Sequence, residues 1–272
     1  MPAIQLERLQ TQTTELAALA AEPEAFISGW HNLLEFYADR TRQPGQSGTP
    51  TPLLNAYNVP PPVLRQTLRA LKPCLSGKPN LTLALADALW EEDNLECRLM
   101  AAQLLDLEAG MDPDEVIQRA AAWAQDEKEI EVHQALFNHG LARQCQDNPA
   151  KVLGLAARWL NTTMVTTQIL GLRVINALLA NPRYENLPPV FRLLGPLAQA
   201  APRSLRPDLV NAIQTLARRT PPETAYFLRQ SLVIAGENPG AAWLIRQVLP
   251  SFPDQYQTSL REALKQARGR SI

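Results

Sequence analysis

Apolar residues recur at intervals of three and four positions along almost the whole chain, with polar residues between them. That spacing places the apolar side chains on one face of an α-helix. Most prolines stand where a helix would begin, because the missing N–H costs nothing in a first turn. The pattern predicts fourteen helices, at residues 4–21, 23–39, 60–72, 79–91, 94–108, 112–126, 129–145, 149–161, 164–180, 186–200, 205–219, 221–235, 238–250 and 254–268.

Short links join the predicted helices, so that two helices with their links take roughly 35–40 residues, the period of HEAT and armadillo-like repeats. In such arrays each helix pair packs only on its neighbours. We therefore predict an all-α fold: a HEAT-like or armadillo-type α-solenoid of six to seven antiparallel helix pairs, forming one domain over residues 1–272. A globular helical bundle is the alternative.

One segment departs from the helical pattern. Residues 40–59 contain three prolines and two glycines together with Ser and Thr. This composition predicts a loop after an N-terminal helix pair. A loop of that length is commonly functional or disordered, and we expect it to be packed only from Leu53 onward.

The composition argues against several kinds of site. The three cysteines are widely spaced and form no CxxC motif, so we expect no zinc or other metal. Neither a glycine-rich phosphate loop nor a nucleophile elbow is present, and we expect no cofactor. Glu7 stands where the apolar core of a signal peptide would run, and no stretch reaches the roughly 18 apolar residues of a membrane span. We therefore expect a cytoplasmic protein without a membrane partner.

The net charge of −1 conceals an asymmetry. Residues 1–150 hold 11 Lys and Arg against 21 Asp and Glu, whereas residues 151–272 hold 15 against 6. A charge asymmetry of this kind indicates an anionic partner for the basic half; the alternative is that the two halves neutralise each other. Arginine suits contacts with phosphate, although the basic residues could equally be scattered over a solvated surface. The candidates are Lys151, Arg158, Arg173, Arg218 and Arg219.

Three stretches of the sequence resemble the HEAT-like-repeat alkylpurine DNA glycosylases, also called AlkD-type DNA alkylation repair proteins. LLNAYNVPPPVLRQTLR at 53–69 is similar to the family's proline-led entry into an early helix. LALADALWEEDNLECRLMAAQLLDL at 83–107 is similar to its helix ending in Leu-Trp, its acidic turn and its next, Ala-rich helix. NPAKVLGLAARWL at 148–160 is similar to its helix ending in a basic residue and Trp. The resemblance extends over about residues 53–235.

The resemblance implies a C-shaped solenoid whose concave face holds duplex DNA by its phosphate backbone. In the family a Trp and an Asp on one helix face the damaged base, and the carboxylate stabilises the cationic sugar that develops as the glycosidic bond breaks. Counted without gaps from Trp159, these positions fall on Ile130 and Gln134. The family's arginine falls on Ile169 and a further aromatic residue near Asn211, so none of the four residues matches. The groove-lining candidates are Ile130, His133, Gln134, Ile169 and Arg173.

A shift of a few residues brings in Trp123 with Asp126 or Glu127, which would be a displaced catalytic pair. A packed tryptophan and a helix-terminal acid are the ordinary interpretation of the same residues. The sequence thus predicts a DNA alkylation repair-like protein that binds duplex DNA by phosphate contacts without glycosylase chemistry. The alternatives are a scaffold that binds protein partners and an active alkylpurine DNA glycosylase with a displaced site.

Overall fold

A computed structural model of the chain describes residues 5–39, 53–107, 110–236 and 238–269. Within these residues the chain forms fifteen α-helices and no strand, apart from an isolated parallel bridge between Asn55 and Asn94. The predicted all-α class is confirmed, and the helices are consistent with a HEAT-like solenoid. The helices fall into two compact units, residues 1–143 and 144–272. That the whole chain is a single domain stays a prediction.

The first unit arranges its helices in two layers. The helices α1, α3, α5 and α7 contact one another in succession, and α2 and α4 pack beside them, followed by α6. The bounds are α1 Leu6–Ala17, α2 Pro23–Tyr37, α3 Pro61–Leu75, α4 Pro79–Trp90, α5 Leu95–Leu104, α6 Pro113–Asp126 and α7 Ile130–Ala135. Residues 53–60 precede α3 without helix, and residues 40–52 of the predicted loop lie outside the described residues.

The second unit repeats the two-layer arrangement. The helices α9, α11, α13 and α15 form one layer, and α10, α12 and α14 form the other. The bounds are α9 Pro149–Leu160, α10 Val165–Ala180, α11 Pro188–Ala200, α12 Arg206–Arg219, α13 Pro221–Ala235, α14 Pro239–Val248 and α15 Asp254–Gly269. Helix α8, Ala142–Asp147, spans the boundary between the units.

The prediction of one helix over 129–145 is wrong. The segment is divided into α7, a π-helical turn at Leu136–Gly140, and α8. The N–H of Leu141 donates to the carbonyl oxygen of Leu136 at 2.9 Å, five residues back. Gly140 lies so close to Ala102 that a Cβ would be 2.7 Å from its carbonyl oxygen. This wider turn brings Gly140 against α5, and apolar spacing alone does not distinguish it from an ordinary α-helical turn.

Gly240, in the first turn of α14, is the described glycine of the second unit at which an added Cβ would lie closest to neighbouring atoms. A Cβ there would lie 2.5 Å from the carbonyl carbon of Ala200 and still closer to its oxygen. Because backbone cannot give way as a side chain can, we expect Gly240→Ala to lower the free energy of unfolding by about 3 kcal/mol, the upper end of overpacking costs. Urea unfolding followed by circular dichroism measures this.

The matched control is Gly154→Ala in α9, where a Cβ would meet nothing within 4 Å. It is expected to stabilise the protein by about 0.5–1 kcal/mol, because alanine is the better helix former. Equal effects of the two substitutions would contradict the proposed close approach at Gly240.

Candidate nucleic-acid interface

Four side chains of the first unit form a cluster of two tryptophans, an arginine and a glutamate. Trp90 ends α4 and Trp123 lies in α6; their rings stack with centroids 4.5 Å apart and planes 4° apart. The guanidinium carbon of Arg98, from α5, lies 5.3 Å from the centre of the Trp90 ring. Arg98 Nη1 donates to Oε2 of Glu127 at 2.7 Å, and Glu127 follows α6. We call these residues the Trp–Arg–Glu cluster.

The Glu127 carboxylate is enclosed by protein donors. Its Oε1 accepts hydrogen bonds from the backbone N–H groups of Lys128 at 2.6 Å and Glu129 at 2.7 Å. Burial raises the pKa of Glu127, but these bonds and the Arg98 guanidinium outweigh it and hold the pKa below its usual value. The side chain is only 3% exposed. The carboxylate is therefore charged and bound within the protein.

The two residues of the displaced pair, Trp123 and Asp126, lie in different surroundings. Trp123 is 8% exposed, and its ring packs against Trp90. Asp126 is exposed to solvent at the end of α6. The carboxylate connected to the tryptophans is Glu127, through Arg98. The sequence predicts Glu127 as an alternative acid for the displaced pair, but it does not indicate Arg98 or Trp90 as site residues. Sequence spacing does not reveal the Arg98–Glu127 and Trp90–Trp123 contacts, because each joins two different helical segments.

The candidates on α7 separate into buried and exposed side chains. His133 is buried: its Nε2 lies 2.9 Å from the carbonyl oxygen of Ala124, and its ring stacks on Phe137. Ile130 is 55% exposed, and Gln134 is also exposed. Thus His133 joins α6 to α7, while the two positions that match the family's Trp and Asp face solvent with uncharged side chains.

Helices α10, α12 and α14 contact one another in succession, and we call the solvent-exposed side chains of this layer the α10–α12–α14 face. These three helices carry five arginines against a single acid, Asp208. Arg173 Nε lies 3.7 Å from Asp208 Oδ2, so the acid is already paired. Its exposed and half-exposed side chains include Ile169, Arg173, Asn176, Arg206, Asn211, Gln214, Arg218, Trp243 and Arg246.

The five phosphate-contact candidates do not share one surface. Lys151 and Arg158 are exposed on α9, in the opposite layer of the second unit. Arg218 is exposed on the α10–α12–α14 face, where Arg173 is half-exposed. The fifth candidate, Arg219, is half-buried and donates to carbonyl oxygens at the end of α10 and in the segment after it.

Those contacts give Arg219 a different environment from the one expected. Its Nη1 donates to the carbonyl oxygens of Leu179 at 2.7 Å and Asn181 at 3.2 Å. Its Nη2 donates to those of Pro182 and Tyr184. The guanidinium thus satisfies carbonyl groups that the end of α10 leaves without helical partners. Arg219 is therefore not part of the candidate interface.

Two further properties concern membranes and metals. Among the described residues, none of the helices combines the length and apolar character needed to cross a bilayer. In the same part of the chain, no group of three or more His, Cys, Asp or Glu side chains could hold a metal ion.

Comparison with known families identifies the chain at the family level. Searches of curated proteins and of solved structures give no match. A family model described as DNA alkylation repair enzyme matches residues 34–266, which is most of the chain and includes both the Trp–Arg–Glu cluster and the α10–α12–α14 face. The chain therefore belongs to the DNA alkylation repair enzyme family.

Proposed function

We propose that this family member binds duplex DNA through the α10–α12–α14 face and does not excise bases. The observation that carries the proposal is the charge of that face: Arg206, Arg218 and Arg246 are exposed or half-exposed there. The one acid of the three helices, Asp208, is already paired with Arg173. Guanidinium groups recognise phosphate oxygens, and such contacts supply most of the affinity for the DNA backbone. Family membership makes DNA the polyanion that we expect to bind there.

The charge of the second unit as a whole favours the same partner. Residues 144–272 hold 15 Lys and Arg against 7 Asp and Glu, a net of +8. Residues 1–143 hold 11 against 20, a net of −9. A single-sign field of this size attracts a polyanion to the second unit and repels it from the first.

The carboxylates near the tryptophans are not suited to base excision. Stabilising an oxocarbenium-like sugar requires a carboxylate aimed at it in a site of reduced dielectric. Glu127 is in a site of this kind, but its oxygens accept bonds from Arg98 and two backbone N–H groups. Asp126 is exposed to water, where its charge is strongly screened. The matched family positions Ile130, Gln134 and Ile169 carry no charge.

The experiment is to incubate the protein with a methylated duplex and follow both retention and base release. We expect a gel shift at micromolar protein and low salt, with no free alkylated purine in the supernatant. An active alkylpurine glycosylase and an unmethylated duplex of the same sequence are the controls. Release of alkylated base would refute the non-catalytic proposal, and the absence of any shift would refute DNA binding.

A second candidate function is a scaffold that binds protein. Tyr226, Val233 and Ile234 are exposed apolar side chains on α13, in the layer opposite the proposed DNA face. Exposed apolar groups of this kind are common at protein interfaces. The two functions use opposite layers, so a substitution on α13 should leave DNA binding unchanged.

A further inference from the structure

Arg206 and Trp243 form a stacked pair between the start of α12 and the middle of α14. The guanidinium carbon of Arg206 lies 3.9 Å from the centre of the Trp243 ring. Arg206 Nε also donates to the carbonyl oxygen of Ala201 at 3.1 Å. The guanidinium is thus held in place from two sides, and an arginine fixed in this way loses little entropy when it binds a ligand.

Two further arginines stand three residues from the members of the pair, Arg203 before Arg206 and Arg246 after Trp243. Trp243 and Arg206 are half-exposed, and Arg203 and Arg246 are exposed. Arg246 follows Trp243 by one helical turn, so the two side chains lie on the same side of α14. The neighbouring acid, Asp208, lies 3.7 Å from Arg173. The Trp243 ring is therefore accompanied by three arginines, Arg203, Arg206 and Arg246. The carboxylate of Asp208 is paired with Arg173 and does not compete for them.

This combination matches the chemistry of an unpaired nucleotide. Aromatic side chains and arginine planes stack on nucleobases whatever their identity, and neighbouring cations bind the phosphates on either side. In a fully paired duplex each base is already stacked on its neighbours and its faces are covered. Only a base that has left the duplex stack can use the Arg206–Trp243 pair.

We propose that Arg206 and Trp243 form a stacking platform for an unpaired nucleobase, with Arg203 and Arg246 on the adjacent phosphates. The proposal rests on the proposed function and adds to it a ligand class: DNA containing an unpaired nucleotide, bound more tightly than fully paired DNA. A base stacked on the platform gains one aromatic contact that paired DNA does not make.

The test compares three DNA probes by fluorescence anisotropy: a paired duplex, the same duplex with one extra unpaired nucleotide, and single-stranded oligothymidine. We expect the wild-type protein to bind the unpaired-nucleotide duplex about tenfold more tightly than the paired one, the size of one base–aromatic contact. Trp243→Leu should abolish this preference, and Trp243→Phe should retain part of it. Tyr226→Leu removes an exposed aromatic residue from the opposite layer and should change nothing.

The outcomes separate the platform from the proposed duplex binding. Equal affinity of the wild-type protein for both duplexes, or an equal loss for both in Trp243→Leu, would overturn the platform and leave duplex binding intact. Failure to bind paired duplex, with Trp243-dependent binding of oligothymidine, would overturn the proposed function and support the platform. If Trp243→Leu unfolds, Arg206→Lys replaces it, because lysine keeps the charge but loses the stacked plane; an unchanged preference in that variant would refute the platform.

Discussion

Replacing Glu127 by Gln is expected to lower the free energy of unfolding by about 3 kcal/mol. The carboxylate is almost fully buried and accepts bonds from Arg98 and two backbone N–H groups, so the amide cannot satisfy all the donors at once. Removing one partner of a buried pair leaves the other charge uncompensated, which typically costs about 3–5 kcal/mol. Because the Arg98 side chain is 21% exposed, we expect the lower end of that range. Urea unfolding at pH 7 measures the change.

The matched control is Asp87→Asn. Asp87 also binds an arginine, Arg119, at 3.0 Å, but its side chain is 44% exposed. A solvated pair contributes little, so this substitution should cost less than about 1 kcal/mol. Equal losses of unfolding free energy in the two variants would show that the burial of Glu127 does not increase the contribution of its ion pair to stability.

The effect of Glu127→Gln should also depend on pH. The pKa of Glu127 is lower in the folded protein than in the unfolded chain, where it is about 4.3. The charged carboxylate therefore stabilises the fold above that value, and the stabilisation is lost as the pH falls through the folded pKa. The difference between wild type and variant should be complete at pH 6–7 and shrink below about pH 4. A difference that stayed constant down to pH 3 would contradict the assigned charge.

The helix boundaries were largely predictable from the sequence because proline marks them. Eight of the fifteen helices that the structure describes begin with a proline, among them α2, α9 and α13. Thirteen of the fourteen predicted helices are present, with ends at most four residues from those predicted. The exception, the segment that contains the π-helical turn, has no proline at either of its internal breaks. There the boundary depends on the contact between Gly140 and Ala102, a tertiary effect.

The charge of the second unit was predictable, but the role of each arginine was not. Arg218 and Arg219 are adjacent in sequence, yet Arg218 is exposed and Arg219 binds carbonyl groups about 40 residues away. The Arg206–Trp243 and Arg98–Glu127 contacts join residues 37 and 29 positions apart. Helical spacing relates residues within a few turns, so contacts between helices of this kind require coordinates. The abundance of arginine in the second unit therefore favoured a phosphate-binding surface. Which arginines belong to that surface could be decided only from the structure.

Neutralising three arginines of the α10–α12–α14 face by Arg173→Gln, Arg218→Gln and Arg246→Gln together is expected to weaken duplex DNA binding about 1000-fold or more at low salt. Each substitution removes one charge-assisted contact with phosphate, worth roughly 1.5–3 kcal/mol. The slope of log affinity against log salt should fall by roughly 2.5–3, because fewer counterions are released. Titrations at several salt concentrations measure both quantities, and thermal unfolding checks the fold.

The matched control neutralises Lys151, Arg158 and Arg192 in the opposite layer, which are all exposed. The net charge changes equally in the two variants, so a long-range effect of charge would weaken binding equally. If DNA contacts the α10–α12–α14 face, only the first variant should lose most of its affinity and its salt dependence. A larger loss in the control would place the DNA on the α9–α11 side, and unchanged binding in both would exclude the second unit as the binding surface. Because the total charge changes equally in the two variants, the comparison tests the position of the interface separately from the positive charge of the second unit, which is evident from the sequence.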